Sequence, residues 1–173
     1  MSPDYSPEPA DARQFTARYD GFYSRFASAY DWLVKVFPVW RNWLGSTLPS
    51  IQGPKVLEVS FGTGYLLTRY ASQFETCAID LNPELARIAW GNLQQHNLSA
   101  HLQVANVEHI PYPAGAFDSV VNTMAFSAYP DGVSAMAEIT RVLKPGGRLV
   151  MIDVNYPRDG NRIGTVLVRG WMA

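Results

Sequence analysis

The chain has 173 residues, 47% of them hydrophobic and 17% charged, a length and balance that suit one globular domain with a packed core. A formal net charge of -1 argues against a general nucleic-acid surface, and a single cysteine, Cys77, excludes an internal disulfide. The opening MSPDYSPEPA lacks the basic and apolar regions of a secretory leader, and no run reaches the roughly 18 apolar residues of a membrane helix, so the expectation is a cytoplasmic protein.

Residues 1–9, with Pro3, Pro7 and Pro9 among polar neighbours, read as a flexible tail. From about Ala10 to Val36, Phe15, Tyr19, Phe22, Tyr23, Phe26, Tyr30 and Leu33 recur at spacings of three and four, the pattern of one helix face. Pro38 ends or redirects that helix, and a second one is predicted from Val39 to Leu48. Together these make an N-terminal helical lid over 10–50, followed by a core over 51–173.

Strand and helix then alternate. KVLEV (Lys55–Val59) predicts a short buried strand and Thr63 to Gln73 a helix. TCAID is a second strand, ending at Asp80, and Cys77 within it reads as a buried, inert thiol. Asn82 and Pro83 signal a helix start, with Leu85, Ile88, Ala89 and Leu93 on one face. HLQVA and FDSVVNT are strands three and four. Asp131 to Leu143 is a helix stopped by KPGG, and RLVMIDV is strand five. The fold class that follows is α/β, a doubly wound, mostly parallel sheet with N-terminal helices. Ligands of such sheets bind beyond the carboxyl ends of the strands, where the strand order reverses.

The residues at those ends are therefore the candidates. After strand one come Glu58 and the turn Gly62-Thr63-Gly64; glycine admits close approach of a ligand to the backbone. A dinucleotide fingerprint requires a third glycine where this chain has Leu67, which weakens a pyrophosphate reading. Asp80 lies eighteen positions beyond Gly62, an offset at which an acid accepts hydrogen bonds from ribose hydroxyls; the competing reading is an acid favoured by a helix N-terminus. Asn106 follows strand three and offers either an amide for a purine edge or a turn residue. Asn122, Thr123 and Met124 follow strand four and face the same cleft. The three histidines show no ligand spacing, so no metal site is expected, and Ser60 lies outside any hydrolase elbow.

In this order VLEVSFGTGYL, AIDLNPELARIA, LQVANVEHIPYPAGAFDSVV and EITRVLKPGGRLVMIDV resemble the class I S-adenosylmethionine-dependent methyltransferases, with their Rossmann-like fold. The lead FYSRFASAYDWL is similar to the branch that holds the quinone-biosynthesis C-methyltransferases and small phospholipid N-methyltransferases. The resemblance runs from about Phe22 to Tyr156. It implies S-adenosylmethionine as cofactor and S-adenosylhomocysteine as product. Glu58, Gly62 and Gly64 match the motif around the methionine part, and Asp80, with Leu81 beside it, matches the ribose acid. Asn106 and Val107 match the adenine pair, Thr123 a cofactor-lining position, and Tyr30 the tyrosine of the covering helix. The implied reaction is methyl transfer to a small-molecule or lipid-like acceptor, a quinone precursor or phospholipid head group, with peripheral membrane contact through an aromatic and basic lid. No catalytic base stands out; His109 and Tyr23 are the candidates considered.

Two departures are plain. Ser60 and Phe61 replace the usual glycine and small residue, so either Phe61 packs into the core or it narrows the cleft. Strands six and seven of the usual seven-stranded sheet are missing, so the fifth strand is expected to be an open edge, in a shortened chain or a homo-oligomer that covers it. The rival readings are a cofactor-binding module without catalysis and a nicotinamide-dependent oxidoreductase; the latter is disfavoured by Leu67 and by the absence of a Tyr-x-x-x-Lys pair.

Overall fold

The computed structural model describes residues 38–154. In chain order these form α1 (Pro38–Gly45), β1 (Lys55–Val59), α2 (Leu67–Tyr70), β2 (Glu75–Asp80), α3 (Pro83–Gln95), β3 (His101–Val104), β4 (Phe117–Thr123), α4 (Gly132–Val142) and β5 (Leu143–Ile152). Short 3-10 turns lie at Leu48–Ser50, Val107–His109 and Phe126–Ala128. The tail, most of the helical lid and Tyr30 fall outside the described residues, as does the segment after Val154.

All five strands are parallel, in the order β3-β2-β1-β4-β5. A parallel sheet is covered on both faces, so its central strands are apolar almost throughout. β1 obeys this with period-two alternation. Val56 enters one core with Tyr70, Ala89, Leu93 and Val121, and Glu58 meets Tyr70 on the same side. Leu57 and Val59 enter the opposite core with Ile79, Val120, Ile139 and Val142. Cys77 is buried there as a free thiol. The order reverses between β1 and β4, so the crevice for a ligand opens above their carboxyl ends.

Local chemistry explains where the longer helices begin. Asn82 Oδ1 accepts from the backbone N–H groups of Glu84 at 2.8 Å and Leu85 at 3.2 Å, with Pro83 in the first turn of α3. Asp131 Oδ1 caps α4 through Val133 N and Ser134 N, each at 3.0 Å. Arg141 on α4 stitches that helix to the β3–β4 connection, donating to the Tyr112 carbonyl at 2.8 Å and the Ile110 carbonyl at 2.9 Å. It also pairs with Glu138, whose carboxylate accepts from Ile110 N at 2.8 Å. Arg141→Met leaves two carbonyls without their donor and a half-buried carboxylate with Ile110 N alone. The expected loss is about 2 kcal/mol of stability, measured by urea denaturation.

Two expectations need correction. The helix predicted from Thr63 to Gln73 is only the four residues Leu67–Tyr70. The left-handed backbone at Gly64 holds its start back, and at its end Gln73 N bonds to the Tyr70 carbonyl, three residues back instead of four. Such a short helix supplies no strong N-terminal dipole, so a ligand here depends on the turn itself. The second correction concerns KPGG. It does follow the end of α4, but α4 runs directly into β5, and the pairing passes from Phe117↔Leu143 to Ser119↔Arg148. KPGG is thus a bulge within β5. Its lysine is anchored, with Lys144 Nζ 2.8 Å from Asp118 Oδ1 while Asp118 Oδ2 accepts from Lys55 N at 2.9 Å. Among the described residues β5 pairs with β4 alone and is an outer strand.

Candidate functional site

The connection leaving β1 is built almost wholly from unusual backbone. Ser60, Gly62 and Gly64 all have positive φ, at 57°, 57° and 74°. Ser60 N donates to the Ile79 carbonyl at 2.7 Å, which carries the β1–β2 ladder one step into the turn, and Gly64 N closes the turn on the Phe61 carbonyl at 2.9 Å. Two side chains hold it from outside. Asp80 Oδ2 accepts from Gly62 N at 2.8 Å while its Oδ1 accepts from Asn82 N at 2.9 Å. Asn92 on α3 donates to the Thr63 carbonyl at 2.8 Å.

The two glycines serve different ends. A Cβ on Gly64 would stand 2.8 Å from the Ala89 Cβ, so this glycine lets α3 pack against the turn. A Cβ on Gly62 would meet nothing within 4 Å, so its bare backbone faces open space. That space belongs to a shallow cleft open to solvent. Glu58, Ser60, Gly62 and Thr123 line it, with Trp40, Leu44, Phe61 and Met124 as an apolar wall. Phe61 is 5% exposed and belongs to the core with Leu44 and Leu66, so the large side chain tilts into packing and contributes one side of the cleft.

Glu58 is 1% exposed and accepts from the Tyr70 hydroxyl at 2.7 Å. Burial pushes its pKa up to about 8; the Tyr70 hydrogen bond works against that rise and the Asp80 charge adds to it. Burial and the Glu58 carboxyl hold the Tyr70 phenol well above its usual range. At neutral pH the floor of the cleft therefore carries a neutral carboxylic acid.

The other expected residues are arranged around this centre without all lining it. Leu81 is half-buried between β2 and α3. Asn106 serves as a turn residue, its Oδ1 accepting from Glu108 N at 2.9 Å, and the Val107 side chain is buried in the second core. Asp80, Leu81, Asn106 and Val107 do not line the cleft beside Gly62. His109 is exposed on the Val107–His109 turn and does not reach it, and Tyr23 lies outside the described residues. Among the described residues no group of three or more His, Cys, Asp and Glu is placed to hold a metal, and no helix is long and apolar enough to cross a membrane.

Sequence reading missed Tyr129. Its hydroxyl is 2.8 Å from Ser60 Oγ and accepts from Asn122 Nδ2 at 2.6 Å. Burial raises its pKa well above the ordinary phenol value, so it remains a neutral hydroxyl. Nothing local announces this role, because 69 residues separate Tyr129 from Ser60.

The residues suit an adenosyl-amino acid ligand on three counts: bare backbone at Gly62 facing open space, a buried acid below it, and a second acid fixing the turn. Known proteins agree. A family model described as a methyltransferase domain matches residues 57–151, more than half of the chain. The chain is 27% identical over 168 residues to a demethylmenaquinone methyltransferase of Deinococcus radiodurans, covering 92% of this chain and 70% of that one. It is 31% identical over 147 residues to a protein of the same name from Thermus thermophilus, covering 80% and 66%. Against some ubiquinone/menaquinone biosynthesis C-methyltransferases it spans 59% of their length. A crystal structure described as a putative S-adenosylmethionine-dependent methyltransferase, from Methanococcus maripaludis, superposes with a TM-score of 0.70 at 20% identity, over 99% of this chain and 74% of that one. At that identity the superposition speaks for the fold, and the matched motifs with the cradle around Gly62 speak for the family: the chain belongs to the methyltransferase-domain family, the class I S-adenosylmethionine-dependent methyltransferases.

Proposed function

We propose that this chain binds S-adenosylmethionine in the cleft above β1 and β4 and transfers its methyl group to a small, apolar ring acceptor of the quinone-precursor type. The observation that carries the reading is the cradle itself: Gly62 in left-handed backbone, open above, fixed by Asp80 and floored by Glu58. The names of the Deinococcus and Thermus relatives favour a quinone ring over a phospholipid head group.

When bound, the cofactor supplies a sulfonium methyl that needs no further activation. The chain's own residues then act by holding and excluding. Gly62 admits the ligand against the backbone, and Asp80 keeps Gly62 N–H in place and stands ready for the ribose edge. Leu81, Asn106 and Val107 complete the adenosine side in this reading, with Thr123 on the cleft wall and Tyr30 as cover. Glu58 lines the cleft as a buried acid, and a cation held there would favour its ionised form, so Glu58 would release its proton on binding. Trp40, Leu44, Phe61 and Met124 keep water from one side and offer an apolar wall to the acceptor. Rate enhancement then comes mainly from alignment of donor and acceptor.

Calorimetric titration with S-adenosylhomocysteine tests the reading. Micromolar binding is expected, reduced at least about tenfold in Asp80→Ala. Gly62→Ala costs only about 1–2 kcal/mol of stability, yet its methyl group projects into the cradle and affinity falls at least as far. A folded wild-type chain without binding, or a Gly62→Ala variant that binds as wild type does, removes the basis of the proposal. A second reading has one observation in its favour, Ser60 in left-handed backbone and Phe61 beside it, where the resembled family usually has glycine and a small residue. In that reading the chain is a cofactor-binding module, and it binds without turnover across a panel of demethylated quinones supplied in reduced form.

A further inference from the structure

The turn after β1 carries one hydroxyl that this mechanism leaves unused. Ser60 stands where the resembled family usually has glycine, and it takes the left-handed backbone, φ 57°, that glycine adopts without strain. Its side chain meets an organised partner. The Tyr129 hydroxyl lies 2.8 Å from Ser60 Oγ and accepts from Asn122 Nδ2 at 2.6 Å. Asn122 is fully buried, and its Oδ1 has no partner among the described residues, so the amide serves this network through its N–H alone.

One direction of this network leaves a proton for the cleft. The Asn122 amide N–H donates, so the Tyr129 oxygen accepts from it. The Tyr129 proton then has one acceptor within reach among the described residues, Ser60 Oγ. The 2.8 Å contact permits either hydroxyl to donate; with Tyr129 donating, Ser60 Oγ is the acceptor and its own proton is left for another partner. Ser60 also lines the cleft. A buried amide and a neutral phenol thus orient a serine hydroxyl whose remaining hydrogen is available to a molecule in the cleft.

We propose that Ser60 is a ligand-binding residue of this chain: its hydroxyl, set by Tyr129 and Asn122, donates a hydrogen bond to a carboxylate or ring oxygen of the molecule bound in the cleft. The inference rests on the cleft being the cofactor site. Two bound molecules bring such an oxygen, the cofactor with its carboxylate and a quinol-type acceptor with its ring oxygen. Tyr129 is a positioning residue that acts through Ser60. The residue that departs from the usual glycine is on this account a gain in recognition, obtained in exchange for backbone strain at one position.

The experiment titrates S-adenosylhomocysteine and its decarboxylated analogue into wild type, Ser60→Ala, Ser60→Gly, Tyr129→Phe and the double variant Ser60→Gly/Tyr129→Phe. It also measures KM and kcat for a demethylated quinone supplied in its reduced, quinol form, whose ring carbon can give an electron pair to the methyl group and release its proton to water. If the hydroxyl reads the cofactor carboxylate, both Ser60 variants lose about tenfold in affinity for S-adenosylhomocysteine and nothing for the decarboxylated analogue. Tyr129→Phe then weakens binding in the wild-type background and has no further effect beside Ser60→Gly, a non-additivity that a general loss of stability does not produce. If the hydroxyl reads the acceptor, S-adenosylhomocysteine affinity holds and KM for the quinone rises about tenfold with kcat near wild type. Ser60→Gly with wild-type or tighter binding and unchanged KM overturns the inference and leaves the cofactor site standing. A folded wild-type chain that binds no S-adenosylhomocysteine overturns the function reading and this inference with it.

Discussion

Stability falls as pH rises from about 4.5 to about 8, and Glu58→Gln removes that fall. The sign follows from the direction of the shift. The folded-state pKa is pushed up to about 8 from the ordinary 4.5, mainly by burial, so the folded chain keeps a proton that the unfolded chain releases. Between those values the native state binds more protons, and each step up in pH favours unfolding. The contribution is fully present below about 4.5 and is lost by the time Glu58 ionises in the fold. For a carboxyl with 1% exposure the loss is on the order of 3–5 kcal/mol across the window. Glutamine keeps an oxygen for the Tyr70 hydroxyl and has no charge to bury. Urea denaturation at pH 5, 7 and 8.5 checks the point: the two proteins are expected to be similar at pH 5 and to diverge with the variant ahead at pH 8.5. Parallel curves would show that Glu58 titrates normally and that the cleft floor is hydrated. The same charge logic makes cofactor binding near pH 7 release a proton, an effect absent from Glu58→Gln.

Gly64→Ala is expected to destabilise the chain by about 2–4 kcal/mol, several times the effect of an ordinary surface substitution. Two costs add. The backbone at φ 74° lies in the left-handed region, which an L side chain enters at about 1–2 kcal/mol. The new Cβ also meets the Ala89 Cβ at 2.8 Å and the Ala89 Cα at 3.2 Å, where the helix backbone leaves little room to yield. Pairing the change with Ala89→Gly relieves part of the steric cost and leaves the conformational one, so the double variant recovers partway in urea denaturation. Gly62→Ala, with nothing within 4 Å of its Cβ, shows the conformational cost alone. Equal stabilities for the two glycine variants would mean that α3 does not press on the turn, and the division of labour between the glycines would fail.

Much of this architecture was legible beforehand because it rests on short-range rules. Apolar runs bounded by Gly, Pro and Asn marked all five strands, and β1 and β4 match their expected bounds. The Asn82 cap was a local signal of the same kind. The misreadings came where backbone geometry overrode side-chain pattern. Tyr65, Leu66, Leu67 and Tyr70 look periodic, yet positive φ at Gly64 and a tight last turn leave only four residues of α2. KPGG looks like an end, and register with β4 makes it a bulge.

Residue types and their order along the chain were enough to specify an alternating α/β fold, a glycine turn after an acid at the end of β1, and a second acid at the end of β2. Periodicity, capping and turn chemistry act within a few residues, so they can be read in one dimension. The roles of those residues were decided only when the sheet brought distant segments together. Asp80 became the brace of Gly62, Gly64 became a packing surface for Ala89, Phe61 turned into the core, and Glu58 lost its water and kept its proton. Ser60 met Tyr129 across 69 residues for the same reason. Burial, pKa and hydrogen-bond partnership are properties of neighbours in space, and the neighbours here are set by the parallel order β2-β1-β4 at the centre of the sheet.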